Sequence, residues 1–306
     1  MKDILIIGGA GNVGHKLIEN LLEDYSITVL DLKSKLSVQR LSLFENKIKI
    51  VYGDVGDYHL VKDLVKKNDV VINLAGIVPP LADLSEKLAF GTNYEGTKNI
   101  VDAINSVNPE CIYLYTSFIS VYGETKNIER DLSLKGEVNN PEDIYSISLI
   151  RSEDYIKEKL SKYVILRLPI VTTPNNYYIK RMSLNRMIDF ITVKDLNKII
   201  TRVITEDKAY GKTYNIKSFT INSNTFIKNY YKACGKINMF RRNKYYGRYE
   251  DFKQIDKFIS MNYQSYTDYF KELKRETNIF KRIISKCIKV CTYLYFRIKT
   301  KEKKHQ

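Results

Sequence analysis

Seven residues near the amino terminus, Gly8-Gly9-Ala10-Gly11-Asn12-Val13-Gly14, constrain the fold more than any other stretch of the chain. They follow an apolar run, Ile4-Leu5-Ile6-Ile7, and lead into Lys16-Leu17-Ile18-Glu19-Asn20-Leu21-Leu22, which carries a helical pattern. An apolar strand, a glycine turn and a helix start, in that order, make a site for a dinucleotide pyrophosphate. Gly8 makes the tight turn, Gly11 lets backbone N–H groups approach the phosphates, and Gly14 lets helix and strand pack closely. Asn12 and Val13 open the helix, whose N-terminal field favours two negative charges. The next strand, Ile27-Thr28-Val29-Leu30, ends in Asp31, placed where an acid holds a ribose 2′-hydroxyl. An acid there repels a 2′-phosphate and favours NAD over NADP, although Lys33 and Lys35 nearby soften that preference.

The rest of the chain repeats the alternation. Ile48–Tyr52 and Val70–Asn73 read as strands, Glu86–Val107 as a helix, Cys111–Tyr115 as a strand, Asp143–Lys162 as a helix and Val164–Arg167 as a strand. Strands alternating with helices imply parallel βαβ units, with ligands beyond the carboxyl ends of the strands. The expected fold is α/β, a Rossmann-type doubly wound parallel sheet with a small C-terminal substrate lobe. Residues 1–170 would form the NAD-binding domain, with 188–216 returning to it. Residues 171–187 and 217–275 would form a reduced substrate lobe, and 276–306 a basic tail.

Composition narrows the function classes. Only His15, His59 and His305 occur, and Cys111, Cys234, Cys287 and Cys291 lack zinc-site spacing, so a histidine triad or a metal centre is not expected. No basic leader precedes the first strand, and no stretch of about twenty residues is free of charge, so a cytoplasmic setting is expected. Of the net charge of +15, the segment from Lys271 onward carries +9, from 12 Lys/Arg against 3 Asp/Glu. The body is therefore only mildly basic.

Several short stretches fall at the strand ends: Gly53-Asp54-Val55, Asn73-Leu74-Ala75-Gly76, and Thr116-Ser117-Phe118-Ile119-Ser120-Val121-Tyr122-Gly123. With Asn93-Tyr94-Glu95-Gly96-Thr97, Leu166-Arg167-Leu168-Pro169, Asp189 to Leu196 and Gly211 to Ile216, they occur in an order and spacing that resembles a known family. The chain is similar to extended short-chain dehydrogenases/reductases of the NAD-dependent epimerase/dehydratase type, over most of residues 1–235. That resemblance implies a nucleotide-sugar substrate, a role in surface-glycan biosynthesis and NAD as cofactor. It also implies that Asp54 and Val55 border the adenine, that Ala75, Gly76 and Pro169 flank the cofactor, and that Asn93 braces the catalytic helix. Helices at 86–107 and 142–162 would form the family's four-helix homodimer contact.

The family's chemistry rests on a tyrosine acid/base and a lysine four residues later, on one helix face. A free tyrosine has a pKa near ~10, and a neighbouring ammonium brings it towards the working range. In Ile144-Tyr145-Ser146-Ile147-Ser148-Leu149, Tyr145 is in place but the lysine position holds Leu149. Arg151 is no ready substitute, because six residues place it about 240° around a helix from Tyr145. Six other Tyr-x-x-x-Lys pairs, such as Tyr94/Lys98 and Tyr155/Lys159, have the spacing but fall away from the motif. The hydroxyl that should meet the substrate oxygen aligns with Phe118, leaving Ser117 or Ser120 as candidates. Between Arg167 and Phe190 the chain is also shorter than the family's usual insert. Lys180 and Arg181 there would either meet a diphosphate or lie on a solvated surface. Two readings follow: an enzyme using Tyr145, or a catalytically weak or inactive NAD-binding sensor or scaffold.

Two C-terminal stretches stand apart. Arg241 to Tyr249 mixes basic and aromatic residues, a pattern that suits single-stranded nucleic acid, but an anionic-substrate cleft or plain surface fits the family context better. Phe280, Ile283, Ile284, Cys287, Ile288, Cys291, Leu294, Tyr295 and Ile298 form one helical stripe flanked by lysines and arginines. Residues 279–306 would thus either lie on an anionic membrane surface, at its inner face, or pack against protein.

Overall fold

The computed structural model describes residues 2–123, 143–173, 185–234, 255–259 and 261–277. Seven parallel strands form the main sheet, in the order β3-β2-β1-β4-β5-β6-β9. They are β1 (Asp3–Ile7), β2 (Ser26–Asp31), β3 (Lys49–Tyr52), β4 (Val70–Asn73), β5 (Ile112–Phe118), β6 (Tyr163–Leu168) and β9 (Lys212–Asn215). The inner strands are near-continuous apolar runs because both faces are covered. Ile4, Leu5, Ile6, Val70, Val71, Ile72, Leu114 and Val164 are fully buried.

Chain order runs outward from β1 to β3 on one side and from β4 to β6 on the other. Right-handed crossovers then place the connecting helices on opposite faces. One face carries α1 (Asn12–Leu21) and α2 (Lys35–Leu41). The other carries α3 (Tyr58–Val65), the short α4 (Leu81–Leu84) and α5 (Glu86–Ala89), α6 (Gly96–Val107) and α7 (Ile144–Lys159). In keeping with this, α3 packs on α6 and α6 on α7, while α1 packs on α8 (Val193–Val203). The expected helix over 86–107 is one rod with a π-helical turn at Phe90–Glu95 inside it. Local caps fix most of the starts: the side chains of Ser34, Asp57, Asp143 and Thr192 each accept from a backbone N–H three residues on.

A second, three-stranded sheet has the order β10-β8-β7, with β7 (Ile170–Val171), β8 (Met187–Ile191) and β10 (Phe219–Asn222). With α9 (Ser223–Cys234) and α10 (Tyr266–Glu276) it forms its own aromatic core. Phe190 stacks on Phe226 with ring centroids 4.1 Å apart, and Tyr230 and Tyr269 stack on Phe226 in turn. Two boundaries differ from the expectation drawn for the sequence. Ile170 pairs with Phe190 in the small sheet rather than continuing β6, and residues 188–191 pair with β10 and β7. The return to the large domain is made by Ile191 at the end of β8, by α8 and by β9, which joins the large sheet. The reason is aromatic: Phe190, Phe219 and Phe226 bury one another, which holds β8 away from the main sheet.

No helix among the described residues is long and apolar enough to cross a membrane, and no group of metal-holding side chains occurs among them. Lys180, Arg181, the 241–249 stretch and the 279–306 tail lie outside the described residues.

Candidate active site

The chain changes direction between β1 and β4, and the crevice at their carboxyl ends is built from backbone. Gly8 has φ +82°, a conformation that side chains rarely adopt, and a Cβ on it would stand 2.8 Å from the Ala75 nitrogen. A Cβ on Gly14 would meet the Gly8 oxygen and the Gly9 Cα at 2.7 Å, so only glycine lets α1 close onto the loop. Gly11 donates to the Gly8 oxygen at 3.1 Å and is itself the N-cap of α1, with no side-chain cap. The first-turn N–H groups of Asn12, Val13 and Gly14 therefore have no partner in the helix and none from a capping side chain.

Asp31, at the end of β2, accepts from the Ala10 N–H at 2.8 Å. Burial raises its carboxyl above the ordinary value, opposed by hydrogen bonds from Ala10 and Leu32. Arg40 of α2, a residue the sequence pattern did not single out, donates to the Ala10 oxygen at 2.8 Å and to Asn12 Oδ1 at 3.0 Å. No motif spacing announces it, since α2 reaches the loop only through the tertiary fold.

Further along the same rim, Asp54 Oδ1 accepts from the Gly56 N–H at 2.8 Å, which sets the turn after β3. Val55 is buried against Gly96, whose missing Cβ makes the space: one there would lie 2.6 Å from Val55 Cγ1. The Ala75 N–H donates to Asn73 Oδ1 at 3.1 Å, and Gly76 lies beside the Asn93 side chain. Asn93 itself sits in the π-helical turn and is 2% exposed. Its amide exchanges hydrogen bonds with the Ile77 backbone at 2.8 and 3.1 Å and donates to Ser148 Oγ at 3.0 Å. The Asn93 carbonyl accepts from Ser152 Oγ at 2.8 Å, so the turn ties the loop after β4 to α7 at two points. Pro169 is buried where β6 gives way to β7.

Tyr145 occupies the first turn of α7, 8% exposed, with its ring 6.2 Å from that of Phe118. Its hydroxyl makes no hydrogen bond to the described residues. Burial raises the phenol well above its ordinary value, and the nearby Asp143 carboxylate raises it further. Leu149, one turn on, is 4% exposed and packed in the core. Among the described residues, no ammonium takes the place that the family gives to lysine.

The two candidate hydroxyls separate. Ser120 is 1% exposed and lies at the start of α7, where Ser146 Oγ donates to it at 2.6 Å. Ser117 is turned to a different partner. Its hydroxyl donates to Glu153 Oε1 at 2.7 Å, and Glu153 lies eight residues beyond Tyr145, roughly 12 Å along the helix. The physical reason is a buried ion pair: Arg167 Nη2 donates to Glu153 Oε2 at 2.6 Å, and Lys157 Nζ approaches the same oxygen at 3.0 Å. Burial alone would raise the Glu153 carboxyl, yet Arg167, Lys157 and Ser117 hold it below the ordinary value. The Arg167 guanidinium also covers the Tyr122 ring at 4.7 Å.

With this geometry in hand, the likenesses are informative. The chain is 29% identical to the dTDP-D-glucose 4,6-dehydratase of Mus musculus over 247 residues, 70% of this chain and 68% of that one. It is 27% identical to the dTDP-glucose 4,6-dehydratase of Mycolicibacterium smegmatis over 263 residues, 76% and 78% of the two chains. The match to the human dehydratase, at 31% identity over 183 residues, covers 56% of this chain and half the length of that protein. Among solved structures, the Bacillus anthracis dTDP-glucose 4,6-dehydratase in complex with NAD superposes with a TM-score of 0.74 at 17% identity, covering 93% of this chain and 100% of that one. The Thermotoga maritima UDP-glucose 4-epimerase with UDP-glucose gives 0.75 at 17%, covering 92% and 99%. The model of the NAD-dependent epimerase/dehydratase family matches residues 4–216, and the chain belongs to that family.

Proposed function

We propose that this chain binds NAD in the crevice between β1 and β4 and acts on a nucleotide sugar as an epimerase, dehydratase or reductase. The observation that carries the reading is the glycine cradle at the switch point. Its three uncapped N–H groups on α1, its close approach to Ala75 and the acid Asp31 at the rim suit a dinucleotide in shape and charge. Bound there, NAD would accept a hydride from a sugar carbon and return it. Within this reading Asp31 holds the adenosine ribose, and Asp54 and Val55 flank the base. Ala75, Gly76 and Pro169 line the middle of the cofactor, and Asn93 fixes α7 against that wall. Tyr145 moves the proton at the sugar hydroxyl, with Ser120 beside it. Relatives that are nucleotide-sugar dehydratases and epimerases support the substrate class.

The test is a titration with NADH and then NADPH, followed by nicotinamide fluorescence; the chain has no Trp to add background. Micromolar NADH binding with much weaker NADPH binding is expected, and absence of NADH binding would overturn the reading.

A second reading, an NAD-binding sensor or scaffold with little or no turnover, is favoured by the surroundings of Tyr145. With a phenol pKa raised above ~10, fewer than about one molecule in a thousand holds the phenolate at pH 7. Leu149 supplies no charge to change that. Assay of both nucleotide-sugar panels, dTDP and UDP, separates the two readings: any turnover abolished by Tyr145→Phe favours the enzyme. The same proposal includes a cytoplasmic homodimer serving surface-glycan assembly, with residues 279–306 on the inner face of the membrane. Liposome binding that disappears on deletion of 279–306 would support the last point, and unchanged binding would remove it.

A further inference from the structure

The large apolar side chains that stay in water are not scattered. Ten are exposed among the described residues, and four of them, Leu32, Leu36, Val38 and Leu43, fall within twelve positions, each between 41% and 68% exposed. They belong to the loop after β2, to α2 and to the single turn Ser42–Phe44 that follows it. The helix explains the grouping. Ser37, Leu41 and Phe44 turn inward and are buried, which leaves Leu36, Val38 and Leu43 on the outer side. Single exposed leucines are ordinary, but a group on one side of a helix marks a surface that meets something.

Charge says what it meets. Between Leu32 and Lys49 stand Lys33, Lys35, Arg40, Lys47 and Lys49 against one acid, Glu45. These eighteen residues carry +4, where residues 1–270 together carry +6. Arg40 is taken by the glycine loop. The four lysines are exposed, and none makes an ion pair with a described residue. Lys33 lies 6.0 Å from the centroid of the Tyr52 ring. Lysines commonly guard sheet edges, which accounts for Lys49 on the edge strand β3 but not for Lys33 and Lys35 among exposed leucines. A second exposed group, Val78, Leu81, Leu84 and Leu88, lacks the cations: residues 78–88 hold Asp83 and Glu86 against Lys87. With α4 and α5 it also belongs to the opposite face of the sheet.

We propose that the outer side of α2 is a docking face for an anionic phospholipid surface. Leu36 and Leu43 enter the boundary between headgroups and acyl chains, Leu32 and Val38 border them, and the four lysines meet the lipid phosphates. A polyanion such as nucleic acid would use the lysines alone, and a neutral apolar partner the leucines alone. An anionic lipid surface takes both at once. Because Arg40 on the same helix holds the glycine loop, docking brings the adenosine end of the crevice, on the reading given above, next to the lipid. So small a patch binds weakly and reversibly by itself, and a basic tail would add to it. The inference does not depend on catalysis at Tyr145.

The chain has no Trp, so Leu43→Trp in the full chain reports on this face alone. Vesicles of two parts phosphatidylcholine to one part phosphatidylglycerol should shift its emission to shorter wavelength, and brominated acyl chains should quench it at least twofold. Vesicles of phosphatidylcholine alone should leave it unchanged. Leu84→Trp, on the opposite face of the sheet, should stay unshifted with both. In co-sedimentation with the anionic vesicles, Leu36→Asp combined with Leu43→Asp should weaken binding at least tenfold, and so should Lys35→Glu combined with Lys47→Glu. These are exposed positions, so each variant should melt as the unaltered chain does, which separates lost docking from lost fold. Failure of the full chain to bind anionic vesicles, or an unshifted Leu43→Trp on bound chain, would overturn the proposal. So would equal shifts in Leu43→Trp and Leu84→Trp, or a shift in Leu43→Trp on raising the protein concentration without vesicles, which would place a second copy on this face. NADH titration is independent of all these outcomes, so failure here leaves the reading of the crevice standing.

Discussion

The two ends of the crevice rest on different materials. At the glycine loop everything that shapes the site is backbone: the left-handed φ of Gly8, the missing Cβ atoms of Gly8 and Gly14, and the uncapped first turn of α1. At the start of α7 the site depends on side chains, and three of those have been given other employment. Leu149 has joined the core, Phe118 packs on Tyr145, and Ser117 belongs to the Glu153–Arg167 pair. A backbone cradle persists as long as the fold does, because the same glycines that would receive a phosphate also let α1 close on β1. A side-chain constellation has no such second duty, and each member is replaced independently. This is why one end fits a dinucleotide and the other, among the described residues, sets no cation beside its tyrosine.

The comparison is broken most severely by attacking the ion pair that holds the Ser117 hydroxyl. Glu153→Gln leaves the Arg167 guanidinium buried without its counter-charge, and such removals cost about 3–5 kcal/mol. Urea unfolding should show that loss, with NADH binding retained at low denaturant because the glycine cradle is not touched. Since Glu153 is held below its ordinary value, its stabilisation is present above the unfolded-state pKa of about 4.3 and is lost as pH falls through the folded value. The variant should therefore lose part of the unaltered chain's acid sensitivity.

At the backbone end, Gly8→Val puts a branched side chain into a positive φ and against the Ala75 nitrogen. NADH affinity should fall at least a hundredfold, roughly 2.7 kcal/mol, whereas Tyr145→Phe should leave it within about threefold. If Gly8→Val bound NADH normally, the cradle would not be the cofactor site. Leu149→Lys sharpens the other side. An ammonium one turn from Tyr145 favours the phenolate, and turnover of a nucleotide sugar should rise at least tenfold, about 1.4 kcal/mol. Burial of a new charge should lower the melting temperature at the same time. Equal rates in the two proteins would mean that Tyr145 is not the proton carrier.

What the sequence disclosed follows the same division. The strand–loop–helix run, the alternation of strands and helices and the helical rod over 86–107 are local patterns of period and turn chemistry, and they are present in the fold. The loss of the lysine was legible too, because a residue type and a spacing suffice to see that Leu149 stands in its place. Contacts made by folding were not legible. Arg40 reaches the glycine loop from thirty residues away, and Ser117 reaches Glu153 across thirty-six. The pairing of Ile170 with Phe190 was hidden for the same reason, since aromatic packing between separated segments decides it.

The smallest expected effect is the most direct measure of Tyr145. Its hydroxyl makes no hydrogen bond to a described residue, so Tyr145→Phe should change stability at pH 7 by less than about 0.5 kcal/mol. The pH dependence should differ. Burial first, and the Asp143 charge second, raise the phenol above its ordinary value, so the folded chain keeps the proton while the unfolded chain releases it near pH ~10. In that window the unfolded state binds fewer protons, and stability falls as pH rises through ~10 until the folded value is reached. Each such group adds a slope of about 1.4 kcal/mol per pH unit, and Tyr145→Phe should remove one. Urea midpoints between pH 9 and 11 measure it. An unchanged alkaline slope would mean that Tyr145 already ionises as a free tyrosine does, and the contrast between the two ends of the crevice would lose its electrostatic half.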